Sequence, residues 1–427
     1  MLDIKFIREN VELIKTAIYK KRINFKLEKL LETDQKRLEI LGIVERLRSE
    51  QNLISQEIAS ETDPQTRQAQ IEQMGLLKVK LKEEEEKLAD ILKNWQNLML
   101  GVPNVPDMSV PEGEGEEDNL EIKRWGEAKT EKEFGFSPKD HVEIMEAQDW
   151  VDLKRGAKTS GFRGYYLKGE AVLLEMALWQ YAMQKWTKNQ FQPFIVPSLV
   201  KKETLFGSGY LPQGQADLYH ELDGDYFAGT GEVAMMNYYA GEILEKQDLP
   251  KKFIAFSPCF RKEAGAHGKD LKGLIRVHEF FKLEQVILCE ASHEESVKFH
   301  EEVTRYAENL LEELEIPYRL VVNCGADLGL GQVKKYDLEA FVPSQNKYRE
   351  ITSASYFHDF QTRRLNIRYR DQDGKLKFVH SINNTAVATP RLLAMIIENY
   401  QNSDQTVTVP KVLVPFLGKK ILGQKLA

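Results

Sequence analysis

Residues 257–284 read SPCFRKEAGAHGKDLKGLIRVHEFFKLE. It predicts two strands joined by a loop that is rich in glycine and basic residues. Between positions 261 and 282, six lysines or arginines stand against three acidic residues. Glycine lets a backbone approach a ligand closely, and the guanidinium fork suits phosphate oxygens. A hairpin with Arg261 and Arg276 at its two ends is therefore suited to clamp a nucleotide triphosphate, whereas FRKE alone is more typical of a charged surface hairpin.

Two downstream segments offer partners for this hairpin. Residues 349–353, REITS, follow a predicted strand and supply hard oxygen ligands of the kind that a Mg²⁺–phosphate site needs. Arg391 is the first residue of a predicted amphipathic helix, a position at which the helix dipole disfavours a cation. Either a bound anion compensates for the arginine there, or the helix tolerates the arginine without one. The sequence has no G-x-G-x-x-G after a strand and no G-x-x-x-x-G-K-[ST]. Any ATP site is therefore neither a Rossmann nor a P-loop site.

The pattern beyond residue 120 predicts an α+β or α/β domain, and the hairpin-like spacing of several strands favours an antiparallel sheet. The predicted helices are 171–188, 231–246, 292–315 and 390–401. The predicted strands are 253–256, 274–276, 283–288, 318–322, 337–342 and 377–380.

Residues 27–100 predict an antiparallel helical hairpin. Two apolar runs keep a 4-3 spacing on either side of residues 61–64, ETDP, where proline ends a helix and favours a turn. At 1.5 Å per residue, the first helix, of about 33 residues, would reach about 50 Å. The hairpin has 11 basic and 15 acidic residues, which on its own is typical of a spacer or a partner surface. The two runs are Ile40, Val44, Leu47, Ile54 and Ile58, and Met74, Leu77, Leu81, Leu88, Ile91, Trp95 and Leu98.

Residues 1–26 are basic, with seven lysines or arginines and three acidic residues. Their apolar residues fall at helical spacing, which predicts a small helix. A solvated basic face and a nucleic-acid contact are both consistent with this segment.

The composition is that of an ordinary globular protein: 427 residues, 42% hydrophobic, 29% charged and a net charge of −7. A polyanion must therefore be bound by local basic patches. Cys259, Cys289 and Cys324 show no C-x-x-C spacing, which favours a reducing compartment. The N-terminus has no long apolar run, so we expect neither a signal peptide nor a membrane span. These features predict a cytoplasmic protein.

Residues 101–106, GVPNVP, and the acidic 111–118, PEGEGEED, mark a domain boundary. We therefore expect an N-terminal domain at 1–105 with its arm at about 27–100, a linker at 106–120, and a second domain at 121–427.

At this point a resemblance is evident. The pattern R-x-E, loop, R-x-x-x-F resembles motif 2 of the class II aminoacyl-tRNA synthetases, Pro197 resembles their motif 1 proline, and Arg391 resembles their motif 3 arginine. Within that class, the segments EAGAHGKDLKGLIRVHEFFKLE, YREITSASYFHDFQTRR, HSINNTAVATPR and IIENYQ are similar to those of the bacterial-type seryl-tRNA synthetases. The resemblance extends over nearly the whole chain.

The resemblance implies an α+β fold, with an antiparallel class II catalytic domain and an N-terminal coiled-coil arm that binds tRNA. It implies a homodimer that activates L-serine with ATP and Mg²⁺ and transfers it to tRNA(Ser), with tRNA(Sec) left open as a second acceptor. No zinc is expected, because His267 and the other histidines and cysteines lack zinc-ligand spacing.

The resemblance also implies roles residue by residue. Catalytic roles fall on Arg261, Glu263 and Arg391. The implied ATP-binding residues are Arg261, Lys262, Glu263, Val277, Phe280, Glu350, Ile351, Thr352, Ser353 and Arg391, with Glu350 and Ser353 at the metal. The implied serine-binding residues are Thr230, Gly231, Glu232, Arg261, Glu284, Asn383 and Thr385. Which of the two glutamates meets the serine ammonium, and which the hydroxyl, stays open.

Several positions depart from the family pattern. The middle of T-x-E is Gly231, Ala234 and Met235 replace a Pro-Leu pair, and Thr385 replaces a serine. Lysines at 269 and 272 replace frequent arginines, which keeps the charge but loses the fork. Thr389 and Pro390 replace the glycine before Arg391, and proline is well tolerated in a first helical turn.

Two other functions fit parts of the chain. An enzyme that loads an amino acid onto a carrier protein would share the catalytic half, but such relatives lack a long arm. A non-catalytic tRNA-binding paralogue would have no reason to keep Arg261, Glu263, Glu350 and Arg391 together.

Overall fold

The structure, a computed structural model, describes residues 1–263 and 273–424. His267, Lys269 and Lys272 therefore lie outside the described residues, as do Gly265 and Gly268 of the predicted loop. The chain divides into two compact units. The first consists of Met1–Tyr19 and Ile23–Pro103, and the second of Lys20–Arg22 and Asn104–Ala427.

The first unit is helical. Its two long helices pack along each other, and their interface is formed by residues of the predicted heptad runs: Val44, Leu47, Ile54, Met74, Leu77 and Leu81 are buried, with Ile40, Ile58 and Leu88 beside them. Asp63 accepts the Thr66 N–H as an N-cap, and proline occupies the first helical turn. The helical hairpin is thus confirmed. The helices are α1 (Ile4–Glu9), α2 (Val11–Lys20), α3 (Leu27–Ser60) and α4 (Pro64–Leu100).

The prediction of one small helix at the N-terminus is wrong, because α1 and α2 are separate. Asn10 interrupts them with a φ of −128°. Its backbone N–H and its side-chain Nδ2 both donate to the carbonyl of Phe6, at 3.0 and 2.9 Å, so Asn10 caps the end of α1.

The second unit is built on an eight-stranded sheet in the order β1-β10-β11-β12-β15-β9-β8-β4. All neighbours are antiparallel except β4 and β8, which are parallel. This sheet confirms the predicted antiparallel α+β class. Its strands are β1 (Leu120–Trp125), β4 (Gln192–Ile195), β8 (Lys251–Phe260), β9 (Glu279–Cys289), β10 (Tyr318–Val322), β11 (Lys334–Val342), β12 (Lys347–His358) and β15 (His380–Thr389).

Helices cover the sheet and close its core. Three helices, α8, α11 and α13, pack against strands of the sheet. Their buried side chains, which include Trp186, Phe299 and Leu393, form one hydrophobic cluster with those of the strands. The helices are α5 (Glu131–Phe134), α6 (His141–Ala147), α7 (Leu153–Ser160), α8 (Glu170–Lys188), α9 (Lys202–Ser208), α10 (Gly231–Asn237), α11 (His293–Glu313), α12 (Phe360–Leu365), α13 (Arg391–Asn399) and α14 (Val414–Leu417).

The remaining strands are short and form small sheets at the periphery. They are β2 (Val151–Asp152), β3 (Tyr166–Leu167), β5 (Leu199–Val200), β6 (Tyr226–Phe227), β7 (Ile243–Glu245), β13 (Arg368–Arg370), β14 (Leu376–Phe378), β16 (Val407–Thr408) and β17 (Ile421–Leu422). Within the described ranges, no helix is both long and apolar enough to cross a membrane.

Two predicted elements are wrong. The predicted helix 231–246 ends at Asn237, because Gly241 adopts a φ of +81° and donates its N–H to the Leu365 carbonyl. The predicted strand 274–276 is irregular, because its backbone groups bond to side chains instead of a neighbouring strand. The Leu274 N–H donates to His141 Nε2, and the Ile275 carbonyl accepts from Arg391 Nε.

The segment after the helical unit is tied into the second unit. Asn104 donates its Nδ2 to the carbonyls of Gly331 and Phe357, at 3.0 and 2.8 Å. Asp107 accepts from the Tyr356 hydroxyl at 2.8 Å, and Asn119 accepts from the Cys324 N–H at 2.9 Å. Much of the stretch 104–119 is therefore fixed by hydrogen bonds within this unit.

Candidate functional site

The site begins where the β8–β9 hairpin leaves the sheet. The two strands pair from Lys251 with Leu288 to Phe260 with Glu279, and the Arg261 N–H extends the ladder by donating to the His278 carbonyl at 2.9 Å. Side chains alternate along a strand, so Phe280, Lys282 and Glu284 share one face of β9. The hairpin thus delivers aromatic, basic and acidic groups to the same face.

Glu263 stands at the edge of the described hairpin. Its carboxylate accepts from Arg276 Nη1 at 2.5 Å, and Arg163 Nη1 lies 3.8 Å away. Its φ is +55°, a left-handed conformation that costs a non-glycine residue about 1 kcal/mol. A strained residue held by two arginines is typical of a functional site.

Arg261 is held in place by backbone and ring contacts. Its Nε donates to the Gly229 carbonyl at 3.1 Å, and its guanidinium lies 5.3 Å from the centroid of the Phe280 ring. Arg261, held in this way, lines the cavity described next.

A cavity of about 60 Å³ gathers most of the predicted nucleotide residues. Those that line it are Arg261, Glu263, Val277, Phe280, Glu350, Ile351 and Arg391, together with the predicted serine residue Thr385 and with Leu274, Ile275, Arg276, Lys282, Ala388, Thr389 and Pro390. Three arginines and one lysine thus converge on a small pocket that also contains an aromatic ring. Convergent cations in a concave site suit a polyphosphate.

Arg391 closes this pocket from the start of α13. Its Nε donates to the Ile275 carbonyl at 2.9 Å, and its Nη1 donates to the Glu350 carbonyl at 2.8 Å. Pro390 occupies the N-cap, so the substitution that precedes Arg391 leaves the arginine in the pocket. The cation at this helix start therefore links the hairpin, β12 and α13.

A second cavity of about 320 Å³ adjoins the first and shares Ile275, Arg276, Glu350 and Arg391 with it. Four arginines and four glutamates line it, so its charges nearly balance. Burial raises the pKa of Glu339, and Glu116 and Glu350 act in the same direction. The cavity is lined by Glu116, Glu117, Ile275, Arg276, Arg319, Glu339, Tyr348, Arg349, Glu350 and Arg391.

The predicted serine residues lie on neighbouring elements. Thr230 caps α10, and its Oγ1 accepts the Glu232 N–H at 3.3 Å. Glu232 is buried, and Glu284 on β9 is also buried, opposite Thr385 on β15. Asn383 lies two residues before Thr385 on β15 and is 7% exposed.

Gly231 occupies a tight position between α10 and β8. A Cβ added there would lie 3.2 Å from Ser257 Oγ and 3.4 Å from the Ala255 Cβ. The absence of a side chain at 231 therefore matches the close packing of α10 on the strand. Met235 is buried in the cluster between α10 and β8, so its neighbourhood is filled.

Some predicted residues do not line either cavity. Lys262 has its contacts outside both cavities. Its backbone N–H donates to the Asp217 carbonyl, and its Nζ lies 5.6 Å from the centroid of the Tyr219 ring. Thr352 is buried within β12, and Ser353 pairs with Asp337 on β11. The structure thus brings Glu350 and Ile351 into the first cavity but leaves Lys262, Thr352 and Ser353 beside it.

The donors near Glu350 fit a hard divalent cation. Glu350 is half-exposed and lines both cavities, and Ser353 adds a hydroxyl farther along the same strand. Burial, and to a smaller extent the charge of Glu350, raise the pKa of Asp337 to about 6. Among the described residues, no group of three or more His, Cys, Asp or Glu is placed to hold a metal by itself.

A buried histidine supports the cavity from behind. His141 Nδ1 lies 2.7 Å from Glu398 Oε1, and His141 Nε2 accepts the Leu274 N–H, which fixes the Nδ1–H tautomer. Glu398 also accepts from the Ser344 N–H and hydroxyl. Gly273 has a φ of +96°, and a Cβ there would lie 2.6 Å from His141 Nε2. The network therefore positions residues 273–275 at the cavity wall.

We expect His141→Ala to lower the free energy of unfolding by about 2–4 kcal/mol, because it removes the imidazole partner of the buried Glu398 carboxylate and the acceptor of the Leu274 N–H. Urea denaturation followed by circular dichroism measures this change. His220→Ala is the matched control, since His220 is exposed and should change stability by less than about 0.5 kcal/mol. Equal losses for the two variants would contradict the supporting role of His141.

The sequence alone did not identify every residue of the site. It placed Arg276 at the far end of the clamp but assigned it no ligand, and it passed over Lys282 and Arg319. Lys282 had a signal, because it stands two residues before Glu284 and so shares its face of the strand. The sequence around Arg319 carried no such signal, because Arg319 reaches Glu339 only through the pairing of β10 with β11.

Comparisons with known proteins agree with this geometry. The family model of the "tRNA synthetase class II core domain (G, H, P, S and T)" matches residues 219–400, and that of the "Seryl-tRNA synthetase N-terminal domain" matches residues 1–106. A serine--tRNA ligase of Deinococcus radiodurans is 44% identical over 427 residues, which cover 99% of each chain.

Two solved structures share the fold over the full length. Seryl-tRNA synthetase from Pyrococcus horikoshii, complexed with ATP, superposes with a TM-score of 0.90 at 39% identity and covers 99% of both chains. The cytoplasmic serine-tRNA ligase of Naegleria fowleri, in complex with AMP, has a TM-score of 0.87 at 30% identity and covers 100% of this chain and 99% of that one. The predicted resemblance is confirmed, and the chain belongs to the seryl-tRNA synthetase family of class II aminoacyl-tRNA synthetases.

Proposed function

We propose that the protein activates L-serine with ATP to form seryl-adenylate and then transfers the seryl group to tRNA(Ser). The observation that carries the proposal is the convergence of Arg261, Arg276 and Arg391 on one cavity that is also lined by Lys282, the ion-pair partner of the buried Glu284. A polyphosphate and an ammonium-bearing amino acid need those two charge patterns side by side. The names of the full-length relatives support the same activity.

In this mechanism the serine carboxylate attacks the α-phosphorus of ATP, and pyrophosphate leaves. A carboxylate is already ionised at neutral pH, so the step needs no general base. Arg261 binds the α-phosphate, Glu263 bounds the nucleotide beside it, and Phe280 stacks on the adenine, with Val277 alongside. Arg391 binds the distal phosphates. The rate gain comes from positioning and from cations placed where charge develops.

Mg²⁺ is the metal that this family is expected to use with ATP, and Glu350 and Ser353 supply the hard oxygen atoms that suit it. When bound, it neutralises charge on the phosphates that leave. The chain's own part is to hold Glu350 in place through the bond from Arg391 to its backbone carbonyl.

We assign the serine subsite to Thr230, Gly231, Glu232, Glu284, Asn383 and Thr385, with Arg261 shared between serine and nucleotide. Buried side-chain acceptors reject an analogue that lacks the hydroxyl, because they are then left unpaired, an effect of about 10⁴-fold in favourable cases. Alanine should therefore be a poor substrate.

We assign tRNA binding to residues 1–105, with the α3–α4 hairpin as the contacting arm, residues 106–120 as the linker and residues 121–427 as the catalytic domain. The arm is acidic overall, so its contacts come from a few basic side chains and from shape rather than from bulk charge. The aminoacylation assay used for tRNA(Ser) also tests whether the protein charges tRNA(Sec).

We further propose that the protein is a cytoplasmic homodimer. Large apolar side chains are exposed on α8, at Leu173 and Met176, and near Pro197, where Ile195 is 84% exposed. Exposed apolar side chains of this size suit association with a second copy. All three cysteines are buried and free, which suits a reducing compartment.

We expect serine to support ATP–pyrophosphate exchange at least about 10³-fold better in kcat/KM than alanine, because the site presents two buried carboxylates and a threonine hydroxyl to the substrate. The measurement is exchange with each of the twenty amino acids in turn. No exchange with serine, or faster exchange with another amino acid, would overturn the proposed function.

A further inference from the structure

Glu175 is a buried carboxylate on α8, a helix that otherwise buries apolar side chains. It is 6% exposed, and within α8, all of which the structure describes, it is the one buried residue with an ionisable side chain. Its neighbours Ala171, Leu174 and Leu178 belong to the hydrophobic cluster that α8 forms with the sheet. A carboxylate in such surroundings is unfavourable unless it is hydrogen-bonded. Packing alone therefore does not explain a glutamate at this position.

The Glu175 carboxylate accepts hydrogen bonds from two neutral donors. Its Oε1 accepts from the hydroxyl of Thr389, the last residue of β15, and Trp179 donates from one turn farther along α8. Burial raises the pKa of Glu175, and these two hydrogen bonds act in the opposite direction with a smaller effect. A carboxyl whose pKa is higher in the folded than in the unfolded chain destabilises the fold above its unfolded pKa, so this one lowers stability at neutral pH.

Thr389 lies just before the arginine that closes the nucleotide cavity. Thr389, Pro390 and Arg391 all line that cavity. Thr389 is 1% exposed and pairs with Phe281 on β9, so it is the point at which the chain leaves the sheet. Because a single residue separates Thr389 from Arg391, a shift of the threonine also moves the arginine backbone.

Pro390 increases the need for an anchor at this turn. It is the N-cap of α13, and a proline has neither a side-chain acceptor for a helical N–H nor a backbone N–H of its own. On the helix side, the Pro390 carbonyl accepts the Ala394 N–H at 2.9 Å. On the sheet side, the Thr389 hydroxyl is bonded to Glu175. The glutamate thus supplies an anchor that the proline cannot.

Arg391 depends on an exact position of this turn. Its Nε donates to the Ile275 carbonyl and its Nη1 to the Glu350 carbonyl, which belong to two separate segments of backbone. Two such bonds tolerate little displacement of the arginine backbone. A misplacement of about 1 Å can lower the rate of a reaction that depends on positioning by about 10²-fold.

We propose that Glu175 is a positioning residue of the adenylation reaction: its hydrogen bond to Thr389 fixes the turn between β15 and α13 and so directs Arg391 to the distal phosphates of ATP. This inference rests on the proposed function and adds a residue that does not touch the nucleotide, since Glu175 lines neither the first nor the second cavity. The consequence is specific, because only ligands with phosphates beyond the α-phosphate should depend on Glu175.

Glu175→Leu tests this consequence, because it fills the space of the side chain and removes the acceptor. We expect Mg²⁺–ATP to bind about tenfold more weakly and AMP to bind within about twofold, since AMP lacks the phosphates that Arg391 binds. The Tm should not fall, because the variant removes a buried carboxylate. Titration calorimetry of the full-length protein with each nucleotide, together with thermal unfolding, measures these effects. Equal weakening of ATP and AMP would mean a general distortion of the cavity and would refute the proposal.

Two further variants separate the hydrogen bond from other effects. Glu175→Gln keeps an oxygen that accepts from the Thr389 hydroxyl, so ATP affinity should stay within about threefold of that of the unaltered protein. A loss as large as that of Glu175→Leu would contradict the hydrogen-bond mechanism. Glu146→Leu makes the same replacement at an exposed glutamate of α6, and both nucleotides should bind within about twofold.

Thr389→Val removes the same bond from its other end and keeps the shape of the side chain. ATP, but not AMP, should again bind about tenfold more weakly, and adding Glu175→Leu should cause no further loss, because both substitutions remove one interaction. Unchanged ATP affinity in Thr389→Val would overturn the inference even if Glu175→Leu did not fold. Serine-dependent exchange by the unaltered protein tests the proposed function separately: its absence would refute that function, whereas exchange combined with unchanged ATP affinity in Thr389→Val would refute only the role of Glu175.

Discussion

Arg261→Ala is expected to lower serine-dependent ATP–pyrophosphate exchange by about 10³-fold or more, or about 4 kcal/mol of transition-state stabilisation. Arg261 lies where the β8–β9 hairpin leaves the sheet and lines the cavity together with Arg391 and Lys282. Negative charge develops on the α-phosphate oxygens as the serine carboxylate attacks, and Lys282, which lines the same cavity, is already paired with Glu284.

The loss should appear in kcat more than in the KM for ATP. Arg276 and Arg391 still line the cavity in the variant, so the distal phosphates retain their cations. What disappears is the interaction that strengthens as charge develops, and an interaction of that kind lowers kcat and kcat/KM together. Steady-state exchange at varied ATP and serine separates the two parameters.

Two variants serve as controls. Arg261→Lys keeps a charge but loses the fork and the bond to the Gly229 carbonyl, so an intermediate loss of about 10–10² is expected. Arg155→Ala removes an exposed arginine of α7 that pairs with Asp152, and exchange should stay within about twofold. Thermal unfolding decides the interpretation: a Tm for Arg261→Ala far below that of Arg155→Ala would mean that Arg261 is structural.

The arm and the sheet class were predictable from the sequence because their signals are local. Heptad spacing and a proline at position 64 fix α3 and α4 without any distant partner. Residues 274–276 misled the prediction for the opposite reason. Their apolar run reads as a strand, but His141 and Arg391, far away in sequence, take the backbone hydrogen bonds. No pattern within a short window contains those partners.

The same contrast holds within the site. Arg261, Glu350 and Arg391 were predicted to be partners from their motifs, and the cavity brings them together. Lys282 was passed over, because a lysine between Phe281 and Leu283 in a strand reads as an ordinary polar position. Its meaning comes from burial beside Glu284 and Thr385, which only the pairing of β9 with β15 creates. Chemistry that depends on sheet register is the part that sequence reasoning cannot supply.

Shortening the arm is expected to separate the two half-reactions. In the variant, residues 49–84 are replaced by a short glycine-rich turn that joins α3 to α4 beside the Arg48–Glu85 ion pair. The base of the hairpin keeps the buried residues Leu27, Leu30 and Met99, so the shortened unit retains part of its core. Serine-dependent exchange should stay within about twofold, because none of the groups that line the catalytic cavities lies between 49 and 84.

Charging of tRNA(Ser) by the same variant should fall by at least about 10²-fold in kcat/KM, mostly through the KM for tRNA. The arm is too acidic to act as a diffuse polycation, so its contribution depends on reaching a particular feature of the tRNA, and a truncated arm cannot reach it. Binding of tRNA measured by filter retention should weaken in parallel. Equal losses of exchange and charging would show that the arm supports the catalytic fold. Unchanged charging would show that the arm does not take part in tRNA recognition, and the basic residues of 1–26 would then carry that role.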